Sequence, residues 1–199
     1  RNGYFVPYVG IDVDGETVYV PKGKFYIPYD GIEKAGRLWV TVTGYDRMAS
    51  LAGDYIPAIE FPATPAQILV DVCEQANLTA PVVTLPDIQI ETTYAGSYRE
   101  QLGWLAGLIG CNAKFDAEGN LVFVWYTESG LTVTHDTQQM NGLQLTGDTF
   151  AIQSITTGTE DNVITAGGGT SITFVNPYIT EEVAEAVLDL VENTPMQPC

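Results

Sequence analysis

Few residues in this chain have the type and spacing that chemistry needs. His135 is the only histidine, and it stands in Thr132-Val133-Thr134-His135-Asp136, a polar strand end. A Ser-His-Asp or Cys-His relay would have to use it. No Gly-x-Ser-x-Gly elbow accompanies it, so a surface or cross-strand histidine is the simpler reading. Cys73, Cys111 and Cys199 are widely spaced, with no Cys-x-x-Cys pair and no clustered histidines, so neither a zinc site nor a disulfide framework is expected. Cys73 instead falls on the apolar face of a predicted helix, where it reads as a small buried hydrophobe.

Two further motifs invite a ligand and fail on spacing. Asp12-x-Asp14-Gly15-Glu16 suggests calcium, but an EF-hand needs ligands out to a twelfth position, and this stretch runs into Pro21 and Lys22. Gly167-Gly168-Gly169 is glycine-rich, yet a phosphate loop needs Gly-Lys-Ser/Thr opening a helix, whereas Thr170 begins a strand with no lysine near. Hairpin turns are expected at both. Carboxylate-pair hydrolysis is least excluded, because 25 acids are available, but nothing selects a pair, and Glu91 or Glu100 would be arbitrary choices. No catalytic, cofactor-binding or metal-binding residue is therefore assigned, no cofactor is expected, and the chain is not expected to be an enzyme.

The elements that would position any site are readable in outline. The 199 residues are 45% hydrophobic and 17% charged, a packed globular composition large enough to hold a core without staples. Residues 1–45 read as strands separated by turns, with Asp14-Gly15 as a hairpin signal and strands at 23–28 and 37–45. Trp39, Tyr45 and Trp125 lie in strand patterns where core packing accounts for them. Thr64-Pro65-Ala66-Gln67 is a capping box with proline at the first helical position, followed by the stripe Ile68, Leu69, Val72, Cys73 and Ala76 and an end near Asn77. Ser97-Tyr98-Arg99-Glu100 opens a second helix with Leu102, Leu105, Ala106 and Ile109 on one face and Gly110 as its stop.

A hairpin of 112–115 with 121–125 around Asp116-Ala117-Glu118-Gly119 comes next. Short strands follow at 151–157, 162–165 and 171–175, and then a helix from Glu181 capped by Thr180. Strand-rich, helical, then strand-rich again is the order of an inserted module. The fold class expected is α+β, in which the two β segments could complete a single sheet system, a small barrel or a sandwich, around the helical insertion.

Ser97 to Leu121, from Ser97-Tyr98-Arg99-Glu100-Gln101-Leu102-Gly103-Trp104 through Asp116-Ala117-Glu118-Gly119-Asn120, resembles the helix-plus-hairpin segment of phage and prophage tail hub proteins of the late-control-protein-D-like, or baseplate-hub, family. Val42-Thr43-Gly44-Tyr45-Asp46-Arg47-Met48, Thr64-Pro65-Ala66-Gln67-Ile68-Leu69 and Asn176-Pro177-Tyr178-Ile179-Thr180 occur in that family's order, over about residues 40–190. The resemblance implies a homotrimeric ring at the virion tail tip, joining tail tube to spike or fibre, with DNA passing through the channel. It implies a β-barrel-like domain from 1–61 plus 131–175, an inserted small α/β module at 62–130 and a C-terminal helix at 176–199, followed by a second barrel-like half, so a longer protein is expected.

Charge fits that picture. Lys plus Arg total 8 against 25 acids, net −17, which argues against specific nucleic-acid binding or an anionic membrane surface. Up to Lys114 the chain has all 8 basic residues and 13 acidic ones, while the remaining 85 residues have 12 acids and neither Lys nor Arg. Carboxylates on a channel wall repel phosphates, and Asp148, Glu160 and Asp161 are the candidate channel-facing acids. With no apolar run of about 18 residues and no signal-peptide core, membrane insertion is not expected, and synthesis in a bacterial cytoplasm is. Two alternatives stand beside the hub: a fragment of a tail-associated cell-wall lysin, glycosidase or peptidase, and a carbohydrate-binding module. The hub reading requires the two strand-rich stretches to close into one shared β unit.

Overall fold

A computed structural model describes residues 3–34, 39–125, 150–192 and 195–196. These form two compact units, one of residues 1–106 and 112–124 and the other of 107–111 and 125–199.

In the first unit β1 (Tyr4–Phe5) pairs with β4 (Phe25–Tyr26), and the hairpin β2 (Tyr8–Val13) with β3 (Glu16–Pro21) stands between them in sequence. Asp14 and Gly15 both have positive φ, 52° and 85°, the two-residue turn whose twist matches antiparallel strands. A third pair, β5 (Ile32–Lys34) with β6 (Val40–Val42), leads to a short 3-10 helix at Arg47–Leu51 capped by Asp46.

The helices begin where local chemistry satisfies their first N–H groups. In α1 (Pro65–Gln75) the Thr64 hydroxyl accepts from Gln67 N at 3.3 Å and Gln67 Oε1 accepts from Thr64 N at 2.9 Å, the reciprocal box the sequence predicts. Asn77, in the left-handed region at φ 52°, stops it. In α2 (Tyr98–Gly107) Ser97 and Glu100 repeat the device: Glu100 Oε2 accepts from Ser97 N at 2.7 Å, and Ser97 Oγ accepts from Glu100 N at 3.3 Å. The stripes Ile68, Leu69, Val72, Cys73 and Leu102, Leu105, Ala106 are buried with Leu51, Tyr55, Ala63, Ile90 and Leu121 as the core of this unit. β7 (Asn112–Phe115) and β8 (Leu121–Val124) make the predicted hairpin, turned at Gly119 with φ 89°.

In the second unit β9 (Phe150–Ala151) pairs with β13 (Pro195–Met196), and β10 (Ser154–Gly158) is the central strand of a three-stranded sheet. One edge of that sheet is β11 (Val163–Gly167), antiparallel to β10, and the other is β12 (Ser171–Thr173), parallel to it. Its helix α3 (Glu181–Val191) starts at Thr180, whose hydroxyl accepts from Val183 N, with Glu181 and Glu182 in the positive first turn. Val183, Ala184, Val187 and Val191 pack with Ile152, Ile155, Ile164 and Ala166 as a second core.

Two expectations are corrected. Mixed α and β structure is present, but the described residues form small two- and three-stranded sheets and no closed barrel. Gly167-Gly168-Gly169 is not a hairpin loop between β11 and β12, because both strands flank β10: Gly167 and Ser171 are each paired with Ser154. The glycines wrap the chain around Gln153, whose backbone oxygen accepts from Gly168 N and whose side-chain Oε1 accepts from Thr170 N at 3.0 Å. A Cβ on Gly167 or Gly169 would overlap Gln153, and both have positive φ, so only glycine fits.

Candidate functional site

The residues singled out for chemistry do not converge. His135 and Asp148 lie outside the described residues. Glu160 and Asp161 are exposed side by side in the β10–β11 turn, which is closed by Thr159 N donating to Asn162 O and Asn162 N donating to Thr159 O. Glu100 is committed to its capping box, and the Ser97 backbone and hydroxyl donors hold its carboxyl below the usual glutamate range. Glu91 is exposed. Asp12 accepts the Thr17 hydroxyl across the hairpin at 2.9 Å, which accounts for it without a cation. Among the described residues no group of three or more His, Cys, Asp or Glu could hold a metal. Cys73 is buried as expected, and burial pushes its thiol up to about 11, far from a reactive thiolate.

One buried carboxylate was not anticipated. Asp71 interrupts the apolar face of α1, and its Oδ2 accepts from Tyr55 Oη at 2.6 Å, Ala58 N at 3.1 Å and Gln75 Nε2 at 2.8 Å. Gln75 Oε1 in turn accepts from Tyr98 Oη at 3.1 Å. An acid inside an apolar stripe is the sequence signal for such a node. It ties the loop before α1 and the start of α2 to the middle of α1, and it is structural.

The surface of the strand region carries the larger surprise. Trp39 is 75% exposed and Tyr45 55%, so core packing does not account for these two aromatics. Tyr4, Tyr8, Tyr19 and Tyr29 are exposed as well. In the β2–β3 ribbon the register pairs Val9 with Val20 and Ile11 with Val18, and sets Val13 on the same side. Directly opposed residues share a face, so Val9, Ile11, Val13, Val18 and Val20 make one aliphatic face, with each side chain 39–52% exposed. The opposite face carries Tyr8, Tyr19, Asp12 and Thr17, with the Tyr19 ring over Gly10. An antiparallel ribbon buries one face against something, and this is the face patterned for it.

Beside this region a recess of about 620 Å³ is lined by Tyr26, Tyr45, Asp46, Arg47 and Ser50, with Ile27 and Pro28 at its wall. Arg47 is not free to serve a ligand there, because it donates to Asn77 O at 2.6 Å and so caps the C-terminus of α1. Tyr45, Asp46 and Ser50 remain exposed.

Compared with known proteins, the sequence matches no family model and no curated protein. The solved structure of the prophage MuSo2 43 kDa tail protein from Shewanella oneidensis is similar at 20% sequence identity and a TM-score of 0.43. The match covers 87% of this chain and 56% of that one, so the chain spans about half that protein's length. At this TM-score no correspondence of parts is drawn. No helix among the described residues is long and apolar enough to cross a membrane.

Proposed function

We propose that the chain is a structural component of a phage or prophage tail, a subunit of the tail-tip or baseplate hub that links tube to spike or fibre by assembly and without catalysis. The observation that carries this reading is the open aliphatic face of the β2–β3 ribbon. Covering five half-exposed aliphatic side chains is worth about 1 kcal/mol each, a contribution that a partner surface would supply. The sequence resemblance names the kind of assembly, and the reading is supported by the capping boxes and the Asn112–Val124 hairpin among the stretches that carry it.

The homotrimer, the barrel shared by 1–61 and 131–175 with 62–130 inserted, and the channel-facing role of Asp148, Glu160 and Asp161 belong to the same proposal. Light scattering on the natural full-length protein tests the assembly. A trimer supports it, and a monomer at 100-fold dilution series and at about 100 μM alike overturns it.

A second reading, a carbohydrate-binding module, is favoured by the exposed Trp39 and by the recess beside Tyr45. There, an aromatic ring, a carboxylate and a hydroxyl share one concave surface of the size small saccharides occupy. Glycan-array binding that is lost in Tyr45→Ala would favour it over the hub.

A further inference from the structure

We propose that the recess between the β3–β4 connection and the β7–β8 turn is a binding site for a phosphate-type oxyanion. Its volume is about 280 Å³, and it is lined by Lys22, Lys24 and Lys114 with Phe25, Asp46 and Asp116. This inference does not rest on the tail reading.

The argument begins with charge. In a chain of net −17, only six basic residues are described, and three of them, from two segments about 90 residues apart in sequence, line this one concavity. None of the three is held in an ion pair with another described residue. With Asp46 and Asp116 also in the lining, the recess carries three lysines against two carboxylates, a net positive charge on a chain that is acidic as a whole. The two carboxylates of the lining keep their charge but have oxygens committed to their own loops. Asp46 accepts from Met48 N at 3.1 Å as a helix cap, while Asp116 accepts from Asn120 N at 2.7 Å and Asn120 Nδ2 at 3.0 Å.

The backbone holds the lysines in place. Lys22 N donates to Pro7 O at 2.8 Å, and the buried Gly23, at φ 124°, makes the turn that carries Lys22 and Lys24 to the same recess. Lys114 is fixed by the β7–β8 ladder opposite Val122. The Lys24 stem passes within 3.5 Å of where a Cβ on Gly119 would stand, and its Nζ sits 4.3 Å from the Tyr4 ring centroid and 5.6 Å from that of Tyr26. A lysine braced on two rings and a glycine has lost much of its rotamer freedom before any ligand arrives. One braced lysine with two more beside it in the lining suits an anion with several equivalent oxygens and more than one charge, which is phosphate chemistry rather than that of a single carboxylate.

The test is an NMR titration of the whole 199-residue chain at constant ionic strength. Inorganic phosphate and dimethyl phosphate serve as probes for free phosphate and for a phosphodiester, with acetate as the carboxylate comparison. Saturable shifts at residues 22–25 and 114–117 with either phosphate probe are expected, weakened about fivefold or more by K24Q or K114Q and unchanged by K34Q, whose side chain lies elsewhere on β5. The tighter of the two probes identifies the source of the phosphate. Shifts that never saturate, acetate binding as tightly as phosphate, or K34Q weakening binding as much as K24Q overturns the site. Because all three substituted side chains are at least partly exposed, the variants keep the fold, and unshifted core resonances report it.

Discussion

Tyr55 Oη lies 2.6 Å from Asp71 Oδ2, and this one hydrogen bond joins the loop preceding α1 to the interior of that helix. Both residues are buried, at 5% and 6% exposure, so neither polar group can turn to water when its partner goes. Tyr55→Phe removes one of three donors to the carboxylate and should cost about 1–2 kcal/mol. Asp71→Ala removes the shared acceptor of Tyr55 Oη, Ala58 N and Gln75 Nε2 at once and should cost more, about 3 kcal/mol. Urea unfolding of the two variants checks the order. Equal effects would mean that Asp71 Oδ2 is satisfied without Tyr55.

The Ser97–Glu100 box predicts a pH dependence. Glu100 is held below its ordinary value of 4.5 by the Ser97 backbone and hydroxyl donors. A carboxyl depressed in the folded state contributes stability that is complete above its unfolded value and is lost as pH falls through the folded one. Ser97→Ala removes the hydroxyl share, should raise the Glu100 titration midpoint, and should cost about 1 kcal/mol at neutral pH as a lost cap. The difference between wild type and S97A should shrink below pH 4, read by unfolding at stepped pH. A difference that stays constant to pH 2 would remove Glu100 from the account.

These two devices also separate what sequence pattern can carry from what it cannot. Capping boxes, apolar stripes at helical spacing and the Asp14-Gly15 turn are local, and each forms where residues within a few positions of one another specify it. The Asp71 node joins residues 16 and 27 positions apart through Tyr55 and Gln75, then Tyr98, and the lysine recess joins 24 to 114. Neither has a periodic signature. The exposure of Trp39 and Tyr45 escapes the pattern for a related reason. Alternation tells which side chains share a face and says nothing of whether that face is covered. The parallel placement of β12 beside β10 is likewise a long-range choice, since a hairpin is the shorter path for the same glycine run.

The glycine run gives a prediction with its own control. Gly167→Ala and Gly169→Ala should each destabilise the β10–β11–β12 sheet by about 2 kcal/mol or more. Both positions have positive φ, 76° and 110°, and an added Cβ would meet Gln153. Gly168→Ala should be nearly neutral, because a Cβ there meets nothing within 4 Å. Thermal melting of the three single variants distinguishes a wrapped crossing from a loose loop, in which all three would behave alike.

The aliphatic ribbon face yields the prediction on which the assembly reading stands. Ile11 is 52% exposed and Val18 48%, and they are directly paired across the hairpin at the centre of that face. Charging an exposed position away from the core shifts stability by no more than about 0.5 kcal/mol, so Ile11→Lys and Val18→Lys should leave the fold of the isolated chain intact. If the face is covered on assembly, the same substitutions bury an unpaired ammonium and remove aliphatic contact, so incorporation into tails or full-length oligomers should fall at least tenfold. Thr17→Lys, on the opposite face of the same ribbon and at similar distance from the tip, supplies the comparison. Loss with Ile11→Lys and Val18→Lys but not with Thr17→Lys assigns the contact to the aliphatic face, whereas equal tolerance of all three means that nothing docks there.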